Sequence, residues 1–145
     1  MNDMAADQAP SDNSTALFSV LHAAHALEDK LEAALGRAGL STAKFSVLTE
    51  LVKARKPLAL GELASRVSCV RSNMTQLVDR LEADGFVRRV QCPTDRRSVN
   101  AEITESGRVR QADAAVEVAK LNAEFAAQLG DEDRRAIESL ARAIG

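Results

Sequence analysis

Apolar positions recur at helical spacing over most of this chain, interrupted by two short strand-like stretches. Leu17, Val20, Ala24, Leu27, Leu31 and Ala34 alternate steps of three and four, which predicts a long helix over Thr15–Arg37 ended by Gly36 and Gly39. Ser41 or Thr42 caps a second helix to about Ala54, with Phe45, Leu48, Leu51 and Val52 facing inward. Lys56-Pro57 breaks the pattern. Two close helices follow, Leu60–Val67 and Val70–Ala83, the second closed by Asp84-Gly85 with Gly85 suited to a left-handed cap. Phe86–Gln91 and Ser98–Thr104 read as short strands flanking the charged loop Cys92–Arg97. Glu105 to about Leu129 is helical again, Gly130 breaks it, and Asp131 is placed as the N-cap of a last helix carrying Ile137, Leu140 and Ile144.

This order predicts a mainly α fold of six helices with a small β-hairpin wing, a winged helix-turn-helix. Leu63, Ala64 and Val67 form the inner face of the first short helix. Val70, Met74, Leu77, Val78 and Leu81 form that of the second. Ala64 allows two helices to cross steeply at close approach, and Ser68-Cys69 is the turn. The first and last helices carry more apolar surface than one small module can bury. They are therefore expected to pair with a second copy, making a homodimer. The expected division is a disordered tail at 1–14 and one domain at 15–145. Within it, 15–40 and 105–145 are dimerisation helices and 41–104 the winged part.

Composition adds a class and a place. The chain has 145 residues, 46% apolar and 28% charged, enough for one domain with a core. No apolar run is long enough to span a membrane, and Met1–Ser14 lacks the pattern of a signal peptide, so the expected location is cytoplasmic. The net charge of −2 hides an asymmetry: residues 1–52 carry −4, residues 53–110 carry +5 and residues 111–145 carry −3. A basic middle between acidic ends is the footprint of a local nucleic-acid contact.

The outer face of the second short helix presents Arg71, Ser72, Asn73, Thr75, Gln76 and Arg80, with no acid before Asp79. That mixture of donors and acceptors suits double-stranded DNA read in the major groove. Arg71 is matched to guanine, and Asn73 or Gln76 to adenine. Arg88 on one strand and Arg96 and Arg97 at the wing tip suit the minor groove. Asp95 lies two residues from Arg97 and is expected to hydrogen-bond and aim its guanidinium.

The block Leu63-Ala64 to Leu81, continuing through Asp84-Gly85-Phe86-Val87-Arg88-Arg89, resembles the core of the multiple antibiotic resistance regulator (MarR) family. Pro93-x-Asp95-Arg96-Arg97 and Ile103-Thr104-x-x-Gly107 resemble that family's wing and the start of its fifth helix. The resemblance implies a triangular dimer on a palindromic operator and a ligand-responsive transcriptional regulator, read here as a repressor. It also implies Arg71, Ser72, Asn73, Thr75 and Gln76 as groove readers, with Asp95 and Arg97 as the oriented wing tip. Val70 stands where the family commonly has a Ser or Thr cap, and Ser68 where it frequently has Gly.

Other candidates are weaker. Phe18, His22, His25 and Phe45 could line a pocket for a phenolic or other apolar anionic inducer. His22 and His25, at i and i+3, are too few for a zinc site, so no metal and no cofactor are expected. Cys69 reads as a small core residue. Cys92 beside Arg88 and Arg89 could have a lowered thiol pKa, so a redox-sensing regulator using Cys69 or Cys92 is one alternative. A helical protein-interaction domain without DNA binding is another. An enzyme is not expected, since there is no phosphate loop, H-E-x-x-H or nucleophile elbow.

Overall fold

The computed structural model describes residues 13–68 and 71–145. Twelve residues of the expected tail, together with Cys69 and Val70, lie outside them, as do the side chains of Arg71 and Ser72. Among the described residues there are six helices and three strands: α1 (Asn13–Arg37), α2 (Thr42–Ala54), β1 (Leu58–Ala59), α3 (Leu60–Arg66), α4 (Arg71–Ala83), β2 (Val87–Gln91), β3 (Val99–Ile103), α5 (Glu105–Ala127) and α6 (Asp131–Ile144).

The sheet is antiparallel in the order β1-β3-β2, so the expected hairpin gains a third strand. β1 is only two residues long, pairing Leu58 with Ala101 and Ala59 with Asn100. It follows Pro57, which lacks a ladder N–H and sits at the edge of the sheet, where proline is tolerated. β2 and β3 pair over five residues, from Val87 opposite Ile103 to Gln91 opposite Val99.

One core joins these elements. It gathers Leu35, Val47, Leu48 and Leu51 from α1 and α2, Leu63 from α3, and Met74, Val78 and Leu81 from α4, with Leu58, Val87 and Ala101 from the sheet. Each large member contributes about 1.5–3 kcal/mol by leaving water. The seam of α1 is buried only at its C-terminal end. Ala34 is buried and Leu31 half-buried, whereas Leu17, Phe18, Val20 and Leu21 are exposed. On this single chain α6 buries nothing, and Ile137, Leu140 and Ile144 all face solvent.

The helix ends follow from local chemistry. The Ser41 hydroxyl accepts the Lys44 N–H at 3.3 Å, while Glu32 of α1 accepts the N–H and hydroxyl of Thr42 at 3.0 and 2.5 Å. Those bonds, the hydroxyl first, hold the Glu32 carboxyl below its ordinary pKa. They also tie α1 to the start of α2. Gly85 closes α4 with φ +78°, as its sequence position predicts. The N-cap of α6 is Gly130 rather than Asp131. The Asp133 carboxylate accepts the Gly130 N–H at 2.9 Å, which leaves Asp131 inside the first turn.

Ser68, in the turn after α3, has φ +52°. A side chain there costs about 1 kcal/mol relative to glycine. Ser68→Gly is therefore expected to raise the thermal midpoint by about 2–4 °C, read by calorimetry.

Candidate nucleic-acid interface

α4 owes its position to one apolar stripe. Met74, Val78 and Leu81 are buried and Leu77 is half-buried, which turns Asn73, Thr75, Gln76 and Arg80 outward, all exposed. α4 is also tied to the sheet. Arg89 on β2 donates to Asp79 at 2.5 Å and to Glu82 at 3.3 Å, and its backbone N–H donates to the Glu82 carboxylate at 2.9 Å. Glu82 therefore grips both the main chain and the side chain of Arg89. Helix and wing are held as one piece.

At the wing tip Arg96 and Arg97 are exposed. Asp95 shapes the loop, but not as expected. Its carboxylate accepts the Arg97 backbone N–H at 2.9 Å rather than the guanidinium, and its carbonyl accepts the Ser98 N–H at 3.1 Å. The Asp side chain closes a turn on the main chain two residues on, the geometry this residue favours. The guanidinium of Arg97 is left free to reach outward. Gln91 adds a bond from Nε2 to the Arg96 carbonyl at 3.4 Å, and the Cys92 N–H reaches the Ser98 carbonyl at 3.1 Å.

The positive charge counted over residues 53–110 is partly neutralised in place. Arg88 donates to Glu102 across the strand pair at 2.5 Å, on the sheet and away from the tip. Arg66 pairs with Glu62 at 2.8 Å and with Glu50 at 3.6 Å, and Lys53 pairs with Glu50 at 3.1 Å. Arg80, Arg96 and Arg97 make no ion pair among the described residues. These three uncompensated cations lie on α4 and on the tip of the wing, whose first strand Arg89 ties to α4.

The remaining candidates fall elsewhere. Phe18, His22 and His25 lie on the exposed part of α1, where His25 Nδ1 is 3.2 Å from Glu28. Phe45 instead lines a cleft of about 280 Å³ between α2 and the end of α3, with Thr49, Glu50, Arg66 and Ser68. The structure does not bring these four residues together in one chain. Cys92 is half-buried with Sγ 3.4 Å from the Thr94 hydroxyl, and that contact, followed by the backbone of Thr94 and Asp95, lowers its thiol pKa. The cause is the loop itself and not Arg88 or Arg89, both engaged by acids. Among the described residues no group of three or more His, Cys, Asp or Glu could hold a metal, and no helix is long and apolar enough to cross a membrane.

Comparison with known proteins adds to this geometry. The sequence profile of the MarR family matches residues 40–99. The uncharacterised HTH-type transcriptional regulator YkoM of Bacillus subtilis (strain 168) is 42% identical over 69 residues, or 48% of this chain and 44% of that protein. The matched segment thus spans less than half of YkoM. The HTH-type transcriptional regulator MhqR of the same organism is 32% identical over 98 residues, or 67% of each chain. Among solved structures, Sco3205, a MarR family transcriptional regulator from Streptomyces coelicolor in complex with DNA, superposes with a TM-score of 0.83. It is 29% identical, covering 94% of this chain and 87% of that one.

Proposed function

The chain belongs to the MarR family, and from that membership we propose that it is a transcriptional regulator binding a palindromic double-stranded DNA operator as a homodimer. The observation that carries this reading is the pairing, through Arg89, of an exposed polar helix face with an exposed arginine tip. Asn73, Thr75 and Gln76 enter the major groove beside Arg71 and Ser72, while Arg97 and Arg96 reach the adjacent minor groove. Arg80 meets the backbone. Arg88, bound to Glu102, contributes least. Two copies join through the uncovered apolar residues of α1 and α6, which places the half-sites about one helical turn apart. The regulator acts as a repressor released by a small apolar anion, and the cleft beside Phe45 adjoins the turn between α3 and α4.

Fluorescence anisotropy on the promoter beside its own gene, across a salt series, tests this. Saturable binding with a steep fall in affinity as salt rises is expected. Equal affinity for operator and random duplex at low salt would sink the proposal. Reporter expression that rises when the protein is deleted checks repression.

Asp95→Ala is expected to weaken operator binding about tenfold, equivalent to about 1.4 kcal/mol, although it removes a negative charge from a DNA-facing loop. The reason is the lost turn at Arg97. Asp95→Asn, which keeps an acceptor for that N–H, should retain most of the affinity.

Cys92 supports a second reading. A thiol with lowered pKa in the wing is a candidate for oxidation that releases DNA. Peroxide-induced release that survives in Cys92→Ser would exclude it.

A further inference from the structure

One face of the sheet is turned away from the core. It carries Arg88 and Val90 of β2 and Asn100 and Glu102 of β3, the positions alternate to buried Val87, Ala101 and Ile103. Over this face lies an open groove of about 550 Å³ lined by Lys56, Pro57, Arg88, Val90, Pro93 and Asn100 among others. Where the end of α2 and the start of α5 meet the sheet there is a smaller cleft of about 60 Å³. It sets Arg55, Lys56 and Arg108 around Leu51, Pro57 and Ile103. Lys56, Pro57 and Glu102 line both spaces, so the two adjoin.

Three cations here face one acid, and that acid, Glu102, is already engaged by Arg88. The side chains of Arg55, Lys56 and Arg108 make no ion pair or hydrogen bond among the described residues, whereas Lys44, Lys53, Arg66, Arg88 and Arg89 all do. Arg55 carries a further sign. It caps α2 in the left-handed region, φ 56° and ψ 20°, where glycine or asparagine would sit at lower cost. A strained position that keeps a long cationic side chain points to a role for that side chain.

We propose that the cleft and groove form a binding site for a small organic phosphate. The phosphate group sits among Arg55, Lys56 and Arg108, and a flat or apolar body lies over Val90 and Pro57. A doubly charged phosphate matches three uncompensated cations better than a single carboxylate does. The DNA backbone is the competing source of phosphate, and the register disfavours it. Leu58 pairs with Ala101 and Ala59 with Asn100, which puts Lys56 near Ile103, at the opposite end of β3 from the wing tip. Five residues of strand separate the two ends, about 15 Å.

The groove also reaches Gln91, whose side chain holds the Arg96 carbonyl. A ligand seated against that strand end would act on the backbone from which the bond is made. This consequence, unlike the binding itself, rests on the DNA-binding reading above.

Amide NMR of the full chain, titrated with phenyl phosphate at constant ionic strength, tests the site. Saturable shifts at Arg55, Lys56, Arg108 and Val90 are expected, with affinity about tenfold above that for benzoate. The double variant Lys56→Gln, Arg108→Gln should lose at least about tenfold in affinity while its melting midpoint stays unchanged. Arg55→Gly separates binding from strain, since its midpoint should rise while its affinity falls. Linear, unsaturated shifts would overturn the proposal, as would undiminished affinity in the double variant or shifts centred on Arg80, Arg96 and Arg97. So would a double variant that binds operator DNA more weakly, with a smaller salt slope, in the absence of any small molecule. The NMR arm contains no DNA, so failure of the operator reading and failure of this site are told apart.

Discussion

Replacing Gly107 with alanine is expected to destabilise the fold by about 3 kcal/mol and to lower the thermal midpoint by about 10 °C. A Cβ at this position would lie 2.1 Å from the Phe86 carbonyl oxygen and 2.9 Å from Ile103 Cγ1. The Phe86 oxygen is backbone and already accepts the Thr104 N–H at 3.0 Å, so it cannot retreat alone. Thr104 completes the junction. Its hydroxyl donates to the Gly85 carbonyl at 2.7 Å and accepts the Gly107 N–H at 3.0 Å. The first turn of α5 therefore docks on the end of the α4–β2 connection with room for hydrogen and nothing larger. Gly36→Ala is the control. A Cβ there meets nothing within 4 Å, and the exchange should be neutral or stabilising by up to about 1 kcal/mol. Calorimetry on the two variants decides the point. Equal midpoints would mean that the junction yields.

In the proposed DNA complex the largest functional loss is expected from Gln76→Ala, about 1–3 kcal/mol of operator affinity, concentrated at one base pair. Gln76 is exposed on α4, one turn beyond Asn73, and its amide supplies the donor and acceptor that adenine presents in mirror image. Competition against operators changed one base pair at a time reads the effect. The variant should stop discriminating at a single position and keep its preference elsewhere. A uniform loss across all operators would assign Gln76 to the backbone. Arg97→Ala supplies the contrast, a loss common to every sequence with the salt slope reduced by about one.

The elements with long periodic patterns were legible in the sequence. α2, α4 and α5 lie within a residue or two of their predicted bounds, because each buries one stripe and is closed by a local cap. β1 was not legible. Two residues are too few to show alternation, and they become a strand only because β3 passes beside them. The candidate interface was legible in kind. The exposed face of α4 follows from helical spacing, and the tip arginines from the loop. What spacing could not reveal was which charges are already matched. Arg88 meets Glu102 fourteen residues on, and Arg89 meets Asp79 and Glu82 on another element. Those partnerships depend on strand register and helix placement, so a regional charge count overstates the cation available. Asp95 shows the same limit at short range. Its proximity to Arg97 was evident, but the choice of backbone over guanidinium is settled by loop geometry.

The grip of Arg89 on Asp79 and Glu82 has a further consequence. The grip and the outward polar face occupy the same helix yet share no residue. Positions 73 and 76 can therefore drift while 79, 82 and the buried stripe stay fixed. Exposed substitutions of this kind cost about 0.5 kcal/mol or less. If these positions read DNA as proposed, a lineage carrying this helix can acquire a new sequence preference in single steps, each viable in fold, with no compensating change elsewhere in the chain.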